Sequence, residues 1–137
     1  MKVQVLSPES LVFESEEADE VFLPGGGGDM VVMADHTPLL SSLRIGAIEV
    51  RTAGATRSIA VAGGFFEASP EAVRIIADAA ELAESIDVSR AKQAQARAEE
   101  RLRNVSAKGV EVDVERARAA LQRALNRLEV ASRRKEA

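Results

Sequence analysis

The sequence predicts an α+β fold, in which an antiparallel β sandwich or flattened barrel over residues 1–82 precedes an antiparallel two-helix hairpin over residues 83–137. The hydrophobic pattern has a period of two up to about residue 80 and a helical period after it. All the prolines and all but one of the glycines lie in the first part. The net charge is −7 over residues 1–80 and +3 over residues 81–137. We therefore expect two regions with different partners.

Short strands are predicted wherever apolar residues alternate in the first part. The alternation is clear at Val3 and Val5, and it returns in the segments 47–51, 59–61 and 72–75. Turn signals separate these segments, namely Ser7-Pro8-Glu9, Pro24 with Gly25 to Gly28, Ala53-Gly54, Gly63-Gly64 and Ser69-Pro70. Turns at this frequency predict a meander of many strands, which is typical of a sandwich or flattened barrel.

The second part predicts two helices. The expected landmarks are an N-cap at Ser85 or Asp87, a first helix to about Asn104, a break at Gly109, and a second helix from about Asp113 to Arg133. Each helix has a narrow apolar stripe made largely of alanine, formed by Ala91, Ala94, Ala98 and Leu102 and by Ala117, Leu121, Ala124, Leu128 and Ala131. Such stripes pack closely but bury little area, so we expect a weakly held hairpin that is a candidate moving part.

Each predicted helix also carries three arginines at spacings of seven and four residues. These stripes consist of Arg90, Arg97 and Arg101, and of Arg116, Arg123 and Arg127. At about 100° per residue, each trio stays within about 40° of the helix circumference. An antiparallel hairpin places both stripes on the same side, where they repel unless an anion or an acidic partner surface lies among them. The alternative interpretation is a solvated surface on which nearby glutamates offset the arginines.

Composition limits the classes of function. The chain has no cysteine, so disulfides and thiolate chemistry are excluded. It also has no tryptophan or tyrosine, so side chains that could stack on nucleic acid bases are nearly absent. No apolar run approaches the roughly 20 residues of a membrane span, so no direct membrane insertion is expected. The first five residues already alternate, and we expect no signal or transit peptide.

Two further motifs are interpreted as structural. The run Gly25 to Gly28 is not followed by Gly-Lys-Ser/Thr, and the next segment predicts a strand, so a turn is favoured over a phosphate loop. His36 is the only histidine, and it lacks the partners that a metal site or a Ser-His-Asp triad needs. We interpret His36, Pro38 and Leu39 as part of a structural loop or a subunit contact.

Several stretches resemble the epsilon subunit family of bacterial-type F-type ATP synthases, which includes the mitochondrial delta subunit. The resemblance is carried by GDMVVMADHTPLL at 28–40, VAGGFFE at 61–67, IADAAE at 76–81, IDVSRA at 86–91 and RALNRL at 123–128. The family has Pro-Gly before the histidine, where this chain has Ala34-Asp35. A turn that usually contains glycine must therefore be made with Asp35.

The resemblance implies a ten-stranded β sandwich before the hairpin and a non-catalytic rotor subunit. In this family the sandwich binds the gamma subunit and sits on the c ring, at the cytoplasmic face of the bacterial inner membrane. The helices either fold against the sandwich or extend toward the catalytic alpha and beta subunits and inhibit ATP hydrolysis.

The resemblance also implies ATP as a regulatory ligand of the folded hairpin, with no obligatory cofactor. The family motif I/L-D-x-x-R-A is present as Ile86-Asp87-Val88-Ser89-Arg90-Ala91. By resemblance, the base would face Glu81, Ile86 and Asp87, and the phosphates would bind Arg90, Arg97 and Arg127, with Arg123 nearby. ATP would favour the folded state, because a ligand stabilises the state that binds it.

Two other classes of function are weighed against this one. A free-standing nucleotide hydrolase would use Glu81 and Asp87 as general base and metal ligand, but we expect no turnover by the isolated chain. A nucleic-acid-binding or protein-binding adaptor would use the basic helices. The net charge of −4 and the acidic residues along both helices oppose nucleic acid binding.

Overall fold

The computed structural model describes residues 1–108 and 111–133, and these form ten strands, a short 3-10 turn and two helices. The strands are β1 (Lys2–Leu6), β2 (Leu11–Ser15), β3 (Glu20–Gly25), β4 (Gly28–Met33), β5 (Leu39–Ser42), β6 (Ile45–Thr52), β7 (Ala55–Ala62), β8 (Gly64–Ala68), β9 (Ala72–Ala77) and β10 (Ala80–Leu82). The 3-10 turn at Ala83–Ser85 leads into α1 (Val88–Lys108) and α2 (Glu111–Ala131). The predicted fold class, a β sandwich followed by a helical hairpin, is confirmed.

The strands form two five-stranded sheets around one core. The first sheet has the order β2-β1-β9-β8-β5, and the second has the order β10-β7-β6-β3-β4. All neighbouring strands are antiparallel except β1 and β9, which run parallel from the pair Lys2 and Ala72 to the pair Leu6 and Ile76. Parallel neighbours need a long connection, and here seven strands lie between them in the chain. The expected antiparallel sandwich thus contains one parallel pair.

The core is built from alternating side chains of both sheets. In β9, Val73 and Ile75 are buried, whereas Arg74 and Ile76 face outward. Phe66 is the largest fully buried side chain, and the others in this class are aliphatic. The sandwich therefore depends on closely packed Val, Ile and Leu, as a chain with 3% aromatic residues requires.

The glycine runs are turns at strand ends. β3 ends at Gly25 and β4 begins at Gly28, so the first run forms a hairpin turn, as predicted. Gly64 has a φ of 114°, and a Cβ there would lie 2.2 Å from the carbonyl oxygen of Ile76. The start of β8 can therefore approach β9 only with glycine at this position.

Both helices are longer than predicted at the two ends that are adjacent in the sequence, namely the C-terminus of α1 and the N-terminus of α2. α1 reaches Lys108 rather than Asn104, and α2 begins at Glu111 rather than Asp113. Both extensions add residues beyond the apolar stripes, which is why the periodic pattern placed the end of α1 too early and the start of α2 too late. The predicted break at Gly109 lies outside the described residues. Neither helix, over the part that the structure describes, is long and apolar enough to cross a membrane.

The two helices pack through their alanine stripes. Ala91 and Ala98 of α1 and Ala117 and Ala124 of α2 are all buried. Asp87 caps α1, because its Oδ1 accepts a hydrogen bond of 3.1 Å from the backbone N–H of Arg90. Of the two caps considered, the structure therefore selects aspartate.

α2, rather than α1, makes the main contact with the sandwich, and it lies across β6 and β7. A small apolar cluster joins the two parts, and its buried members are Ala60, Ala83, Ile86, Val130 and Ala131. A buried methyl group contributes only about 0.8 kcal/mol. This contact is consequently much smaller than the core of the sandwich.

The turn between β6 and β7 has an unfavourable residue. Ala53 has a φ of 51° and Gly54 a φ of 82°, a combination typical of a type I′ turn. The backbone N–H of Ala53 donates a hydrogen bond of 2.8 Å to Oδ2 of Asp19, which holds the turn in place. Alanine adopts a positive φ at a cost, because its Cβ approaches the following carbonyl oxygen.

We expect Ala53→Asn to raise the free energy of unfolding by about 1 kcal/mol, because asparagine tolerates positive φ and keeps the N–H that Asp19 accepts. Urea denaturation followed by circular dichroism measures the change. Ala55→Asn, two residues later in β7, is the control and should give no increase. An unchanged or lower midpoint for Ala53→Asn would contradict this account of the turn.

Candidate anion-binding cleft

A cleft of about 300 Å³ lies between α1 and α2 on the side of the arginine stripes. Its lining consists of Ala94, Arg97, Ala98 and Arg101 of α1, Ala120, Arg123, Ala124 and Arg127 of α2, and Glu81 of β10. Small alanine side chains leave the space open, and long arginine side chains surround it. Four arginines and one glutamate give the lining a net charge of +3.

The position of the cleft follows from the spacing in the sequence. Arg97 and Arg101 are about one turn apart on α1, as are Arg123 and Arg127 on α2. Both pairs face the same groove, which agrees with the placement that the stripe geometry predicted. The remaining stripe members, Arg90 and Arg116, lie outside the lining.

Glu81 and Arg127 form a forked ion pair that connects β10 with α2. Nε of Arg127 lies 2.6 Å from Oε1, and Nη2 lies 3.3 Å from Oε2. The side chains are 37% and 27% exposed, so solvent screens the pair and it contributes at most about 1 kcal/mol. Within the described residues, Arg97, Arg101 and Arg123 form no ion pair. Three of the four guanidinium groups thus lack an anionic partner in the described part of the chain.

The residues of the IDVSRA segment lie at the start of α1, outside the lining of the cleft. Ile86 is 2% exposed and belongs to the apolar cluster under α2, and Ala91 is fully buried. Asp87 caps α1, and Arg90 is exposed. The structure therefore brings together Glu81 with three of the predicted arginines, whereas Ile86, Asp87 and Ala91 lie at the start of α1, outside the lining of the cleft.

Asn126 is a site residue that the sequence reasoning missed. Its Nδ2 lies 2.9 Å from the carbonyl oxygen of Gly46 and 3.4 Å from that of Val61, and it donates to both. Asparagine is a poor helix former, so its presence within α2 was the available signal. A second polar contact, between Arg133 and Glu49 at 2.6 Å, secures the end of α2.

A smaller hollow of about 70 Å³ adjoins the cleft, between α2 and the edge of the second sheet. Its walls are mostly alanine, from Ala60, Ala62, Ala79 and Ala80, and the hollow shares Glu81, Arg123 and Arg127 with the cleft. An apolar surface beside guanidinium groups suits a ligand that has both an anionic part and a flat apolar part.

The chemistry of the lining favours binding over turnover. Guanidinium groups keep their charge and donate paired hydrogen bonds to phosphate or carboxylate oxygens. Among the described residues, no group of three or more His, Cys, Asp or Glu side chains could hold a metal ion. The cleft is thus a candidate site for a polyanion.

The loop predicted to be a subunit contact precedes β5. Nδ1 of His36 lies 2.6 Å from the carbonyl oxygen of Thr37, Pro38 is exposed and Leu39 begins the strand. Asp35 has a φ of 65°, so it occupies the left-handed position expected for it. The loop keeps its turn without glycine.

The outer face of the first sheet has an exposed apolar strip near this loop. Leu40, Phe65 and Ile76 are 66%, 47% and 38% exposed. Phe65 lies opposite Ile76, which in turn lies opposite Leu6 across β1 and β9. Neighbouring exposed apolar side chains on a sheet face are typical of a surface that another protein covers.

Comparison with protein families matches almost the whole chain. Residues 1–83 match the beta-sandwich domain of the ATP synthase delta/epsilon chain, and residues 84–132 match the long alpha-helix domain of the same chain. The two matches meet in the 3-10 turn between β10 and α1.

Curated relatives are similar over nearly their full lengths. The ATP synthase epsilon chain of Desulforamulus reducens is 42% identical over 130 residues, which are 95% of this chain and 96% of the relative. That of Bacillus pumilus is 41% identical over 133 residues, covering 97% and 98%.

Solved structures share the fold. A chain in the cryo-EM structure of the Euglena gracilis mitochondrial ATP synthase, with its OSCP, F1 and c-ring, has a TM-score of 0.77 at 22% identity, covering 95% of this chain and 79% of that one. A chain in the central stalk and c-ring structure of the Tetrahymena thermophila mitochondrial ATP synthase has a TM-score of 0.53 at 12% identity, covering 62% and 68%. At these identities the likeness concerns the fold.

The strength of the ion pair between Glu81 and Arg127 can be measured with a double-mutant cycle. We expect Glu81→Gln and Arg127→Gln, alone and combined, to give a coupling free energy of about 0.5 kcal/mol in urea denaturation at low salt. The coupling should shrink in 0.5 M salt, since both side chains are partly exposed. If the effects of the two single substitutions on the free energy of unfolding add up to that of the double substitution at low salt, the pair does not hold α2.

Proposed function

The chain belongs to the ATP synthase delta/epsilon family, and from that membership we propose that it is a rotor subunit whose hairpin regulates ATP hydrolysis in response to ATP. Members of this family are non-catalytic subunits of the enzyme complex, so no turnover by the isolated chain is expected. The observation that carries the regulatory part is the arginine-lined cleft, which exists only while α1 and α2 are folded together.

The docked hairpin represents the non-inhibiting state in this proposal. It is held to the sandwich by a small apolar cluster and a few polar contacts, so the free energy that separates it from an extended state is small. A helix of 21 residues is about 30 Å long. Extension therefore carries the basic helices far enough to reach the alpha and beta subunits, where they would block hydrolysis.

ATP would bind the cleft and favour the docked state. Arg97, Arg123 and Arg127 supply guanidinium groups for the phosphates, and Arg101 adds a fourth. The base would lie at the sandwich end, towards Glu81 and the IDVSRA segment, with the alanine-lined hollow beside it. At 100 times its dissociation constant, a ligand specific for one state stabilises it by about 2.7 kcal/mol, which changes the ratio of docked to extended molecules about 100-fold.

The sandwich would supply the fixed contacts of the rotor. We assign the apolar strip at Leu40, Phe65 and Ile76 to the gamma subunit, because a partner must remove these exposed side chains from water. The loop at His36, Pro38 and Leu39 would contribute to the contacts with gamma or the c ring. The subunit would then be peripheral, at the cytoplasmic face of the bacterial membrane.

Isothermal titration of the purified chain with ATP tests the ligand. We expect saturable binding that weakens about tenfold or more in Arg97→Ala, since a hydrogen-bonded charge on the phosphates is lost. Arg90→Ala tests whether the exposed arginine at the start of α1 joins the site when ligand is present.

The matched control is Arg103→Ala, which removes an exposed arginine of α1 outside the cleft and should leave the affinity unchanged. Equal affinity for the parent chain, Arg97→Ala and Arg103→Ala, or no heat from any of them, would refute a nucleotide sensor. The arginines would then serve protein contacts.

The partner surface is tested by assembly. We expect Phe65→Ser to leave the stability of the chain nearly unchanged, because the side chain is 47% exposed, and to reduce its co-purification with the gamma subunit. Met33→Ser, which alters a 55% exposed apolar side chain of the other sheet, is the control and should assemble normally. Loss of assembly with Met33→Ser alone would move the contact to the second sheet.

A further inference from the structure

Asn126 connects α2 to two strands at once. Gly46 of β6 lies directly opposite Val61 of β7, and the Nδ2 of Asn126 donates to the carbonyl oxygens of both. A carbonyl oxygen has two lone pairs, so it accepts such a bond in addition to any bond within the sheet. Two acceptors on neighbouring strands fix both the rotation of α2 and its position along the sheet.

This rotation also determines where the cleft arginines point. Along a helix, Arg127 follows Asn126 by about 100°, and Arg123 lies about 60° from it in the same rotational direction. The cleft and the contact with the sandwich are therefore neighbouring faces of the same turn. A small rotation of α2 on the sheet would move both guanidinium groups relative to those of α1.

Among the residues that the structure describes, the other polar contacts of α2 and its C-terminal extension with the sandwich are ion pairs. Arg127 pairs with Glu81 and Arg133 with Glu49. An anion in the cleft competes with Glu81 for Arg127, so the first pair weakens when the site fills, and salt screens both pairs. The bonds of Asn126 to backbone oxygens involve no charged group, so salt and an anion in the cleft weaken them less than they weaken the ion pairs.

We propose that Asn126 is the positioning residue that keeps α2 docked on β6 and β7 while the cleft is empty and while it is occupied. This inference rests on the proposed function only for the occupied state. The side chain contributes to ligand binding by aligning Arg123 and Arg127, and it also forms part of the wall of the hollow beside the cleft.

The chemistry at this position requires a donor. Asn126→Asp has nearly the same shape, but it places carboxylate oxygens against two carbonyl oxygens and repels them. Asn126→Ala removes both bonds, and because alanine is the best helix former it strengthens α2 itself. If Asn126 acted only within the helix, Asn126→Ala would stabilise α2 and would not reduce the docked fraction. If Asn126 holds α2 on the sheet, the same substitution reduces the docked fraction.

The experiment measures docking directly. The chain has no cysteine, so Arg118→Cys on α2 and Arg74→Cys on β9, both exposed, accept a pair of spin labels without competing sites. The distance distribution is recorded at a low urea concentration where half of the parent molecules are undocked, with and without ATP. Circular dichroism of the same samples reports the helix content.

We expect Asn126→Ala to raise the ratio of undocked to docked molecules about tenfold, from the loss of two hydrogen bonds, and Asn126→Asp to raise it further. The helix content in Asn126→Ala should not fall, and Gln122→Ala, one turn earlier on α2, should match the parent chain. Addition of ATP should restore docking less in Asn126→Ala than in the parent chain.

Unchanged distances in both variants at position 126 would overturn the proposal, and so would a loss that Gln122→Ala reproduces. If aspartate prevents the hairpin from folding, the alanine variant decides alone. Loss of docking in a chain that does not bind ATP would support Asn126 as the positioning residue and refute only the nucleotide sensor. Intact docking of Asn126→Ala, in a chain that binds ATP, would support the nucleotide sensor and refute Asn126 as the positioning residue.

Discussion

The contact of α2 with β6 and β7 is the interaction on which the hairpin depends. α1 follows the 3-10 turn and packs mainly on α2, so its place is set by where α2 docks. Three of the five buried members of the contact are alanines, namely Ala60, Ala83 and Ala131, and Gly46 lies at the point where Asn126 reaches the sheet. Small residues let the helix approach the backbone of the strands, but they bury little apolar area. The same choice of residues thus makes the docking specific and weak.

The alanine stripes impose a related constraint inside the hairpin. Buried alanines such as Ala98 and Ala124 bring the two helices close together, and the arginines beside them come close as well. Larger residues would separate the helices and relieve the repulsion, but the cleft would then lose its narrow form. Glu81 offsets one of the four positive charges. The packing that forms the cleft therefore also creates the charge that an anion would neutralise.

Local patterns predict the two parts of the fold and the cleft for different physical reasons. The change of period near residue 80 identifies sandwich and hairpin, since pleat and helix impose different spacings. The pairing of β1 with β9 could not be predicted, because about 70 residues separate the partners and no local pattern encodes a long-range register. Angular spacing places Arg97 and Arg123 on one groove. The exclusion of Arg90 depends on where the helices meet the sheet, which spacing alone does not determine.

The role of Asn126 in docking could not be predicted from the sequence, and the physical reason is the nature of its partners. Its acceptors are backbone oxygens of β6 and β7, so no pattern of side chains reveals the pair. Contacts that depend on charge, such as Arg127 with Glu81, change when salt or an anionic ligand arrives. A neutral contact to the backbone changes less. Under the proposed function, the hairpin stays in register while the charges in its cleft are rearranged, and this requires at least one neutral contact. Among the described polar contacts of α2 and its C-terminal extension with the sandwich, only Asn126 provides one.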